Sequence, residues 1–181
     1  MVGPPERADV AGYRLGTWHA SAPVPEAAWL AGDQLGQRVA ATELDWSTMD
    51  VPAEVVATWD RRHDLLKALE TVPTVLCHGD FHPGNLIDTG SENTTVLDWG
   101  TLGTGPAGFD LAHLALGTLT DPFPFYVDGL QGKVGAEEAH LGYSVSLALV
   151  GASRLHWMHE NGVPVPAGYT DFVLGTARLP Y

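Results

Sequence analysis

Apolar positions in this chain fall mostly at helical spacing. Between Glu6 and Ala20, the residues Val10, Tyr13, Leu15 and Trp18 recur at intervals that one helix face would collect. The pattern predicts a second helix from about Glu26 to Ala41, after Pro23 and Pro25. A third begins near Pro52, a residue favoured early in a helix, and directs Val55, Val56, Trp59, Leu65, Leu66 and Leu69 toward a core. Thr74 to Cys77 reads as a short buried strand. Two apolar runs, Leu86-Ile87 and Thr95-Val96-Leu97, flank the turn-rich Thr89-Gly90-Ser91-Glu92-Asn93 and predict a β-hairpin. A Gly-rich stretch follows, then a helix from about Phe109 to Leu119. Pro122 to Tyr126 reads as an irregular loop, and two further helices span about Ala136–Glu160 and Ala167–Ala177. No fixed-period repeat or low-complexity tract interrupts them. The sum is an α+β chain, mainly helical, with a few short strands in the middle.

The hairpin carries the candidate chemistry. If it is symmetric, Asp88 faces Thr95, Ile87 faces Val96, Leu86 faces Leu97, and Asn85 faces Asp98 at the open end. Opposed residues on antiparallel strands lie roughly 4.5–5.5 Å apart and share a face. One metal ion then fits between Asn85 and Asp98, with Asp80 close by on the preceding loop. A small, incomplete set of oxygen ligands suits Mg²⁺, which keeps waters and takes further ligands from substrate phosphates. Asp80 is left to orient or deprotonate a hydroxyl nucleophile, and phosphoryl transfer needs little beyond positioning and charge neutralisation.

The wording of the segment makes this specific. Cys77-His78-Gly79-Asp80-Phe81-His82-Pro83-Gly84-Asn85, then Leu97-Asp98-Trp99-Gly100, Gly105-Pro106 and Asp110-Leu111-Ala112, resembles the aminoglycoside phosphotransferase and choline kinase-like family. Asp80 and Asn85 are spaced like the catalytic Asp and metal-binding Asn of protein kinases, and Asp98-Trp99-Gly100 stands in place of their Asp-Phe-Gly. Leu15-Gly16-Thr17-Trp18-His19-Ala20 resembles a phrase on the first large-lobe helix of the family; His19 itself reads as a helix-packing residue rather than a ligand and is given no catalytic role. The resemblance implies the large, C-terminal lobe of a protein-kinase-like fold. Its parts would be a catalytic loop at 78–85, a metal-binding hairpin at 85–100 and a helical acceptor side at 108–178. It implies Asp80 as catalytic base, Asn85 and Asp98 as ligands of Mg²⁺ and the nucleotide, and ATP or GTP as donor. His78, His82 and Asp110 would support the loop from behind. Asp121, Asp128, Glu137, Glu138 and Glu160 would be candidates for an acceptor pocket, or else solvated surface acids.

A kinase-like enzyme also needs a small lobe, with a sheet, a phosphate-covering loop and a lysine. Here Asp80 arrives early, the preceding sequence reads as helical large lobe, and Lys67 is the only lysine before the motif. The small ATP-binding lobe is expected to be absent, and the chain alone is expected to be inactive. A separately encoded small lobe, or self-association, would then be its partner.

Composition narrows the class. The chain has 9 basic and 22 acidic residues, a formal charge of −13 and a pI near 4.7, which disfavours nucleic acid and anionic membranes and is compatible with a cationic acceptor. A single cysteine, within the apolar Val75-Leu76-Cys77, excludes an internal disulfide framework and fits a reducing cytosol. No secretory leader or membrane-length apolar run is visible, so a cytoplasmic protein is expected.

Other readings weigh on the same residues. Gly103-Thr104-Gly105-Pro106-Ala107-Gly108 matches a dinucleotide-binding pattern, yet the strand before it belongs to a hairpin rather than a βαβ unit. His78, Asp80 and His82 on alternate residues, with Asp98, would suit a metal-dependent hydrolase, but Asn85 then has no purpose and the downstream blocks of metallophosphoesterases are missing. Asp80 and Asn85 taken singly could be turn and cap residues. Asp110 could equally satisfy free N–H groups at its own helix start. A catalytically silent remnant that binds a small molecule or a partner protein is the alternative from outside enzymology.

Overall fold

The computed structural model describes residues 7–27, 30–88, 93–177 and 179. Helix α1 (Ala8–Ser21) buries Ala8, Ala11, Gly12, Leu15, Gly16 and His19. This stripe differs from the expected one: Val10 and Trp18 are half-buried and Tyr13 is exposed. Small residues win the inward face because α1 packs against α6 (Phe123–Leu130) at backbone distance. A Cβ on Gly16 would lie 3.0 Å from the Cα of Gly129 and closer still to the Tyr126 carbonyl oxygen.

The expected helix from Glu26 to Ala41 is mostly another structure, with residues 28 and 29 outside the described ones. Strand β1 (Ala31–Asp33) comes first, and only then helix α2 (Gln34–Ala40), with Leu35 and Val39 buried. Asp33 starts the helix, its side chain accepting from the Gly36 N–H, so the chain switches from strand to helix at a capping residue. The third expected helix divides at Arg61 into α3 (Ala53–Asp60) and α4 (Arg62–Ala68). Val55, Trp59, Leu65 and Leu69 are buried, whereas Val56 and Leu66 are half-buried.

Strand β2 (Thr74–Cys77) lies where expected and pairs antiparallel with β5 (Gly103–Pro106), which also pairs parallel with β1. The order is β1-β5-β2, so the Gly-rich connection is the central strand of a small sheet. Glycine and proline are depleted in strands, which hides this one. At Gly103 a Cβ would come within 2.9 Å of the Ala31 Cβ and carbonyl oxygen, so bulk there is excluded by the neighbouring strand. The hairpin of β3 (Leu86–Asp88) and β4 (Thr94–Val96) forms a separate sheet, its expected turn at 89–92 lying outside the described residues.

Helix α5 (Phe109–Thr118) is buried along nearly its whole length. The Pro122–Tyr126 segment is helical rather than irregular: it opens α6, where Pro124 occupies the first turn and Asp121 accepts from the Phe123 N–H. Helix α7 (Ala136–Glu160) is buried continuously from Gly142 to Ala152, against α3, α5, α6 and α8 (Tyr169–Thr176). A helix apolar on every side is one surrounded by others. The whole is mainly helical, with the sheet and hairpin on the side that carries the loop 78–85.

The α1–α6 approach makes a sharp prediction. Gly16→Ala gains roughly 1 kcal/mol in helix propensity but forces the two backbones apart, and overpacking of this kind costs about 1–3 kcal/mol or more. Urea unfolding should show net destabilisation; an unchanged or raised midpoint would contradict the packing described.

Candidate active site

The loop that follows β2 is held from behind by one carboxylate. Asp110 stands in the first turn of α5 and makes no bond to its own helix start. Its Oδ2 accepts from the His78 N–H at 2.7 Å and its Oδ1 from the Gly79 N–H at 2.8 Å. Gly79 turns with φ +84°, so that two successive N–H groups face one carboxylate. His19 Nε2 lies 3.5 Å from Asp110 Oδ2, too long for a formed hydrogen bond but close enough to face the carboxylate. Burial pushes the Asp110 carboxyl up, but His19 and the two N–H groups outweigh it and hold the carboxyl below its ordinary value.

His19 is itself fixed. Its Nδ1 lies 2.8 Å from the Tyr126 hydroxyl, whose oxygen accepts from the Gly108 N–H at 3.1 Å. Burial raises the Tyr126 pKa, so the phenol keeps its proton and donates to Nδ1, leaving the Nε2–H turned toward Asp110. Ligand atoms of His19, Cys77 and Asp110, all three buried, lie within 4.8 Å of one another. Burial, with Asp110 and Asp33 adding to it, pushes the Cys77 pKa up, and Cys77 is a structural thiol.

His78 joins the loop to the hairpin. Fully buried, it accepts at Nδ1 from the Asp80 N–H (3.2 Å) and donates from Nε2 to the Leu97 carbonyl (2.8 Å). Thr101 donates to the His78 carbonyl at 2.7 Å, and Gln34 donates in turn to the Thr101 carbonyl. With both ring nitrogens engaged, His78 has no lone pair to offer a metal, which removes a required ligand from the hydrolase reading.

Asp80 and Asn85 are in direct contact. Asn85 Nδ2 donates to the Asp80 carbonyl (3.0 Å) and to Asp80 Oδ2 (3.1 Å). With its nitrogen committed to an acceptor, the amide presents Oδ1 as its free ligand atom. His82 accepts the Gly84 N–H at Nδ1, and its Nε2 lies 3.3 Å from Asp80 Oδ2. The other carboxylate oxygen, Oδ1, lies 3.8 Å from Nδ1 of the buried His113.

The hairpin register differs from the symmetric expectation by one residue. Leu86 pairs with Val96, Ile87 with Thr95 and Asp88 with Thr94, and the Leu97 N–H donates to the Asn85 carbonyl at 2.8 Å. Asn85 therefore faces Leu97, not Asp98. Both alignments pair apolar residues, but this one turns buried Leu86 and half-buried Val96 to one face and exposed Ile87 and Thr95 to the other. Asp98 leaves the ladder in a left-handed turn at φ +55°, is exposed, and has no hydrogen-bond partner among the described residues. An amide oxygen and an unpartnered carboxylate, one residue out of register, fit a hard cation that completes its shell with waters or phosphate.

A cavity of about 350 Å³ opens on Asp80 and His113, between α2, α3 and α7. None of Asp121, Asp128, Glu137, Glu138 and Glu160 lines it. Glu138 caps α7 by accepting from the Gly135 N–H, and Glu160 lies 3.5 Å from His156. The sequence pattern missed His113, Arg38 and Arg154 as site residues; each falls on a helix where nothing local separates a cavity-facing side chain from an ordinary one. A larger cavity of about 680 Å³, between α3, α7 and α8, contains none of the candidate site residues.

This arrangement, a bracketed Asp loop leading into a short hairpin on a helical body, defines the large C-terminal lobe of a kinase-like fold. The sequence model of the phosphotransferase enzyme family matches residues 4–143, and the chain belongs to that family. Among solved structures, it is similar to a choline/ethanolamine kinase family protein from Mesorhizobium loti (18% identity, TM-score 0.61), over 97% of this chain and 63% of that one. It is also similar to choline kinase LicA from Streptococcus pneumoniae (14% identity, TM-score 0.57; 95% and 62%). A third is amicoumacin kinase hAmiN in complex with AMP-PNP, Ca²⁺ and Ami (13% identity, TM-score 0.59; 97% and 58%). The chain thus spans about three fifths of the length of these structures, and the likeness to them is one of fold. No curated protein matches the sequence. Among the described residues there is no nucleotide-covering sheet lobe, and no helix is long and apolar enough to cross a membrane.

The site predicts an acid-sensitive fold. Burial, with Arg154 adding to it, lowers the His113 pKa to about 4, against an ordinary value near 6.5. The unfolded chain therefore binds the proton more readily, and stability is full above about pH 6.5 and lost as pH falls toward 4. The loss should be about 2 kcal/mol between pH 7 and pH 5, and His113→Gln should flatten it. Asp110 acts at lower pH: its depressed carboxyl contributes above about pH 3.9 and loses that contribution as pH falls through its folded value. Urea unfolding across this range checks both; a pH-independent midpoint from 7 to 5 would contradict the buried neutral His113.

Proposed function

We propose that this chain is the catalytic and acceptor-holding lobe of an enzyme that transfers the γ-phosphoryl group of ATP or GTP to a hydroxyl of a small molecule. The loop 78–85 provides the base, the hairpin segment 85–100 the cation site, and the helices from 108 onward part of the acceptor side. One observation carries the reading: Asp80 is fixed by Asn85 on one side and opens on a cavity with His113 on the other.

Asp80 Oδ2 is engaged by Asn85 and His82, which leaves Oδ1 to receive the proton of the acceptor hydroxyl. The hydroxyl oxygen then bonds to the γ-phosphorus as the bond to the β–γ bridging oxygen breaks. The nucleoside diphosphate departs with that electron pair. Asn85 Oδ1 and Asp98 would hold Mg²⁺, which when bound neutralises phosphate charge. His78 and Asp110 take no proton in this scheme; they keep the Asp80 backbone in place. The Asp80 side chain is 39% exposed and so open to an incoming hydroxyl, and a loose phosphoryl transition state makes modest demands on a base.

Ile87, Leu97 and Trp99 are exposed beside the site, and in this reading they meet the nucleotide and whatever covers it. That cover is a small lobe, on the same polypeptide or a separate one, or a second copy of the chain. Without it the phosphates lack a clamp, and a misplacement of about 1 Å already costs roughly 10²-fold. The chain by itself should hold Mg·ATP weakly in calorimetry and turn over no acceptor.

In the polypeptide that pairs this lobe with a nucleotide-covering part, Asp80→Asn should lower kcat by about 10²–10⁴-fold with nucleotide affinity little changed. Asp98→Ala should abolish metal-dependent nucleotide binding. Equal turnover by wild type and Asp80→Asn would end this reading. Nucleotide binding intact in Asp98→Ala would move the cation elsewhere.

A further inference from the structure

We propose that the acceptor of this site carries an anionic group, a carboxylate or a phosphate, which Arg38 and Arg154 bind while its hydroxyl lies at Asp80. The proposal rests on the reading of Asp80 as the base and adds the chemical class of what it acts on.

Charge distribution is the first ground. The chain has 22 acidic and 9 basic residues. Yet among the described lining of the cavity, the only acid is Asp80 itself, and two of the nine basic residues are present. Arg38 is exposed on α2 and Arg154 is half-buried on α7. Neither guanidinium makes an ion pair or side-chain hydrogen bond among the described residues, whereas Arg62 pairs with Glu43 at 2.8 Å. In so acidic a chain, two arginines at one cavity without acidic partners are conspicuous.

His113 is the second ground. It is 2% exposed, lines the same cavity, and neither ring nitrogen has a hydrogen-bond partner. A buried polar group without a partner costs free energy, and a ligand atom that supplies one recovers it. Burial lowers the His113 pKa most, and both Arg154 and Arg38 lower it further, so both positive charges are felt at the ring.

Shape is the third. Leu35, Val39, Trp59 and Leu149 give the cavity apolar walls, and its volume of about 350 Å³ lies at the small end of ligand sites. This suits a metabolite-sized body rather than a multi-ring polycation. Ammonium groups would be set against two guanidinium groups with no carboxylate but the catalytic one. A planar guanidinium instead matches a carboxylate or phosphate with two parallel hydrogen bonds. The net negative charge elsewhere is screened beyond roughly 10 Å at ordinary salt, so the local pair decides. A cationic acceptor suits the overall charge, but the lining of this cavity favours the opposite sign.

The test is binding to this chain without nucleotide or divalent cation, followed by NMR at the Trp59 and Trp157 indole signals. Four probes are compared: 4-hydroxybutyrate, glycerol 3-phosphate, 4-amino-1-butanol and 1,4-butanediol. An anionic probe should bind at least about tenfold more tightly than the amine or the diol, and whichever of the two anions is tighter identifies the group. Arg38→Gln with Arg154→Gln should remove that preference, and Arg154→Lys should keep part of it. Unchanged unfolding midpoints would show that the variants fold. Asp80→Asn should leave anion binding equal or tighter, since it removes a like charge. Three results would overturn the proposal: amine binding as tight as anion binding, anion binding indifferent to the two arginines, or millimolar anions shifting no cavity signal. Turnover plays no part in the binding readouts and is measured separately, in the polypeptide that pairs this lobe with a nucleotide-covering part. Anion preference with unimpaired phosphoryl transfer by Asp80→Asn would sink the base and spare the cavity chemistry; cation preference with Asp80-dependent transfer would do the reverse.

Discussion

Two consecutive backbone N–H groups, those of His78 and Gly79, converge on the buried carboxylate of Asp110. The geometry of the site depends on that convergence. A fully buried carboxylate is costly unless its lone pairs are filled, and hydrogen bonds to a charged group contribute roughly 1.5–3 kcal/mol each. The loop therefore cannot relax without leaving a charge and two donors stranded. His19 completes the surroundings of Asp110, Tyr126 fixes His19, and the near-contact of Gly16 with Gly129 lets α1 and α6 bring those two rings together. A packing detail between two helices thus reaches the backbone that precedes Asp80.

From that backbone outward the connections are short. His78 fixes the Asp80 N–H with one ring nitrogen and the hairpin's Leu97 carbonyl with the other. Asn85 grips Asp80 by carbonyl and carboxylate together. Asp98 follows Leu97 directly, so its position is tied through one residue to both His78 and Asn85. The groups assigned to base and cation are consequently held by rigid neighbours, as transfer between positioned partners demands.

Much of this was legible in the sequence because the chemistry lies on one contiguous stretch. The helical bulk, the buried β2, the hairpin's existence and the family all followed from residues 77–112 and from apolar periodicity. The hairpin register did not, since Leu86 finds an apolar partner in either alignment and only burial chooses between them. Strand β5 was hidden by glycine and proline, whose local preferences oppose a strand that the neighbouring β1 and β2 nonetheless impose. The helix opening at Phe123 was hidden by two prolines that start a helix as readily as they break one. Asp110 looked equally like a helix-start residue, and only the approach of β2 shows where its oxygens go. His113, Arg38 and Arg154 come from three separate helices, and no local signal reports that they share a cavity.

Amide hydrogen exchange at His78 and Gly79 tests the central claim most directly. If Asp110 holds the loop, these two amides should be protected nearly as well as those of β2, although they lie beyond its end. In Asp110→Asn their protection should fall while that of Val75 in β2 changes far less. Exchange of both amides at ordinary loop rates in the wild-type chain, or a uniform loss of protection across β2 and the loop in the variant, would contradict it.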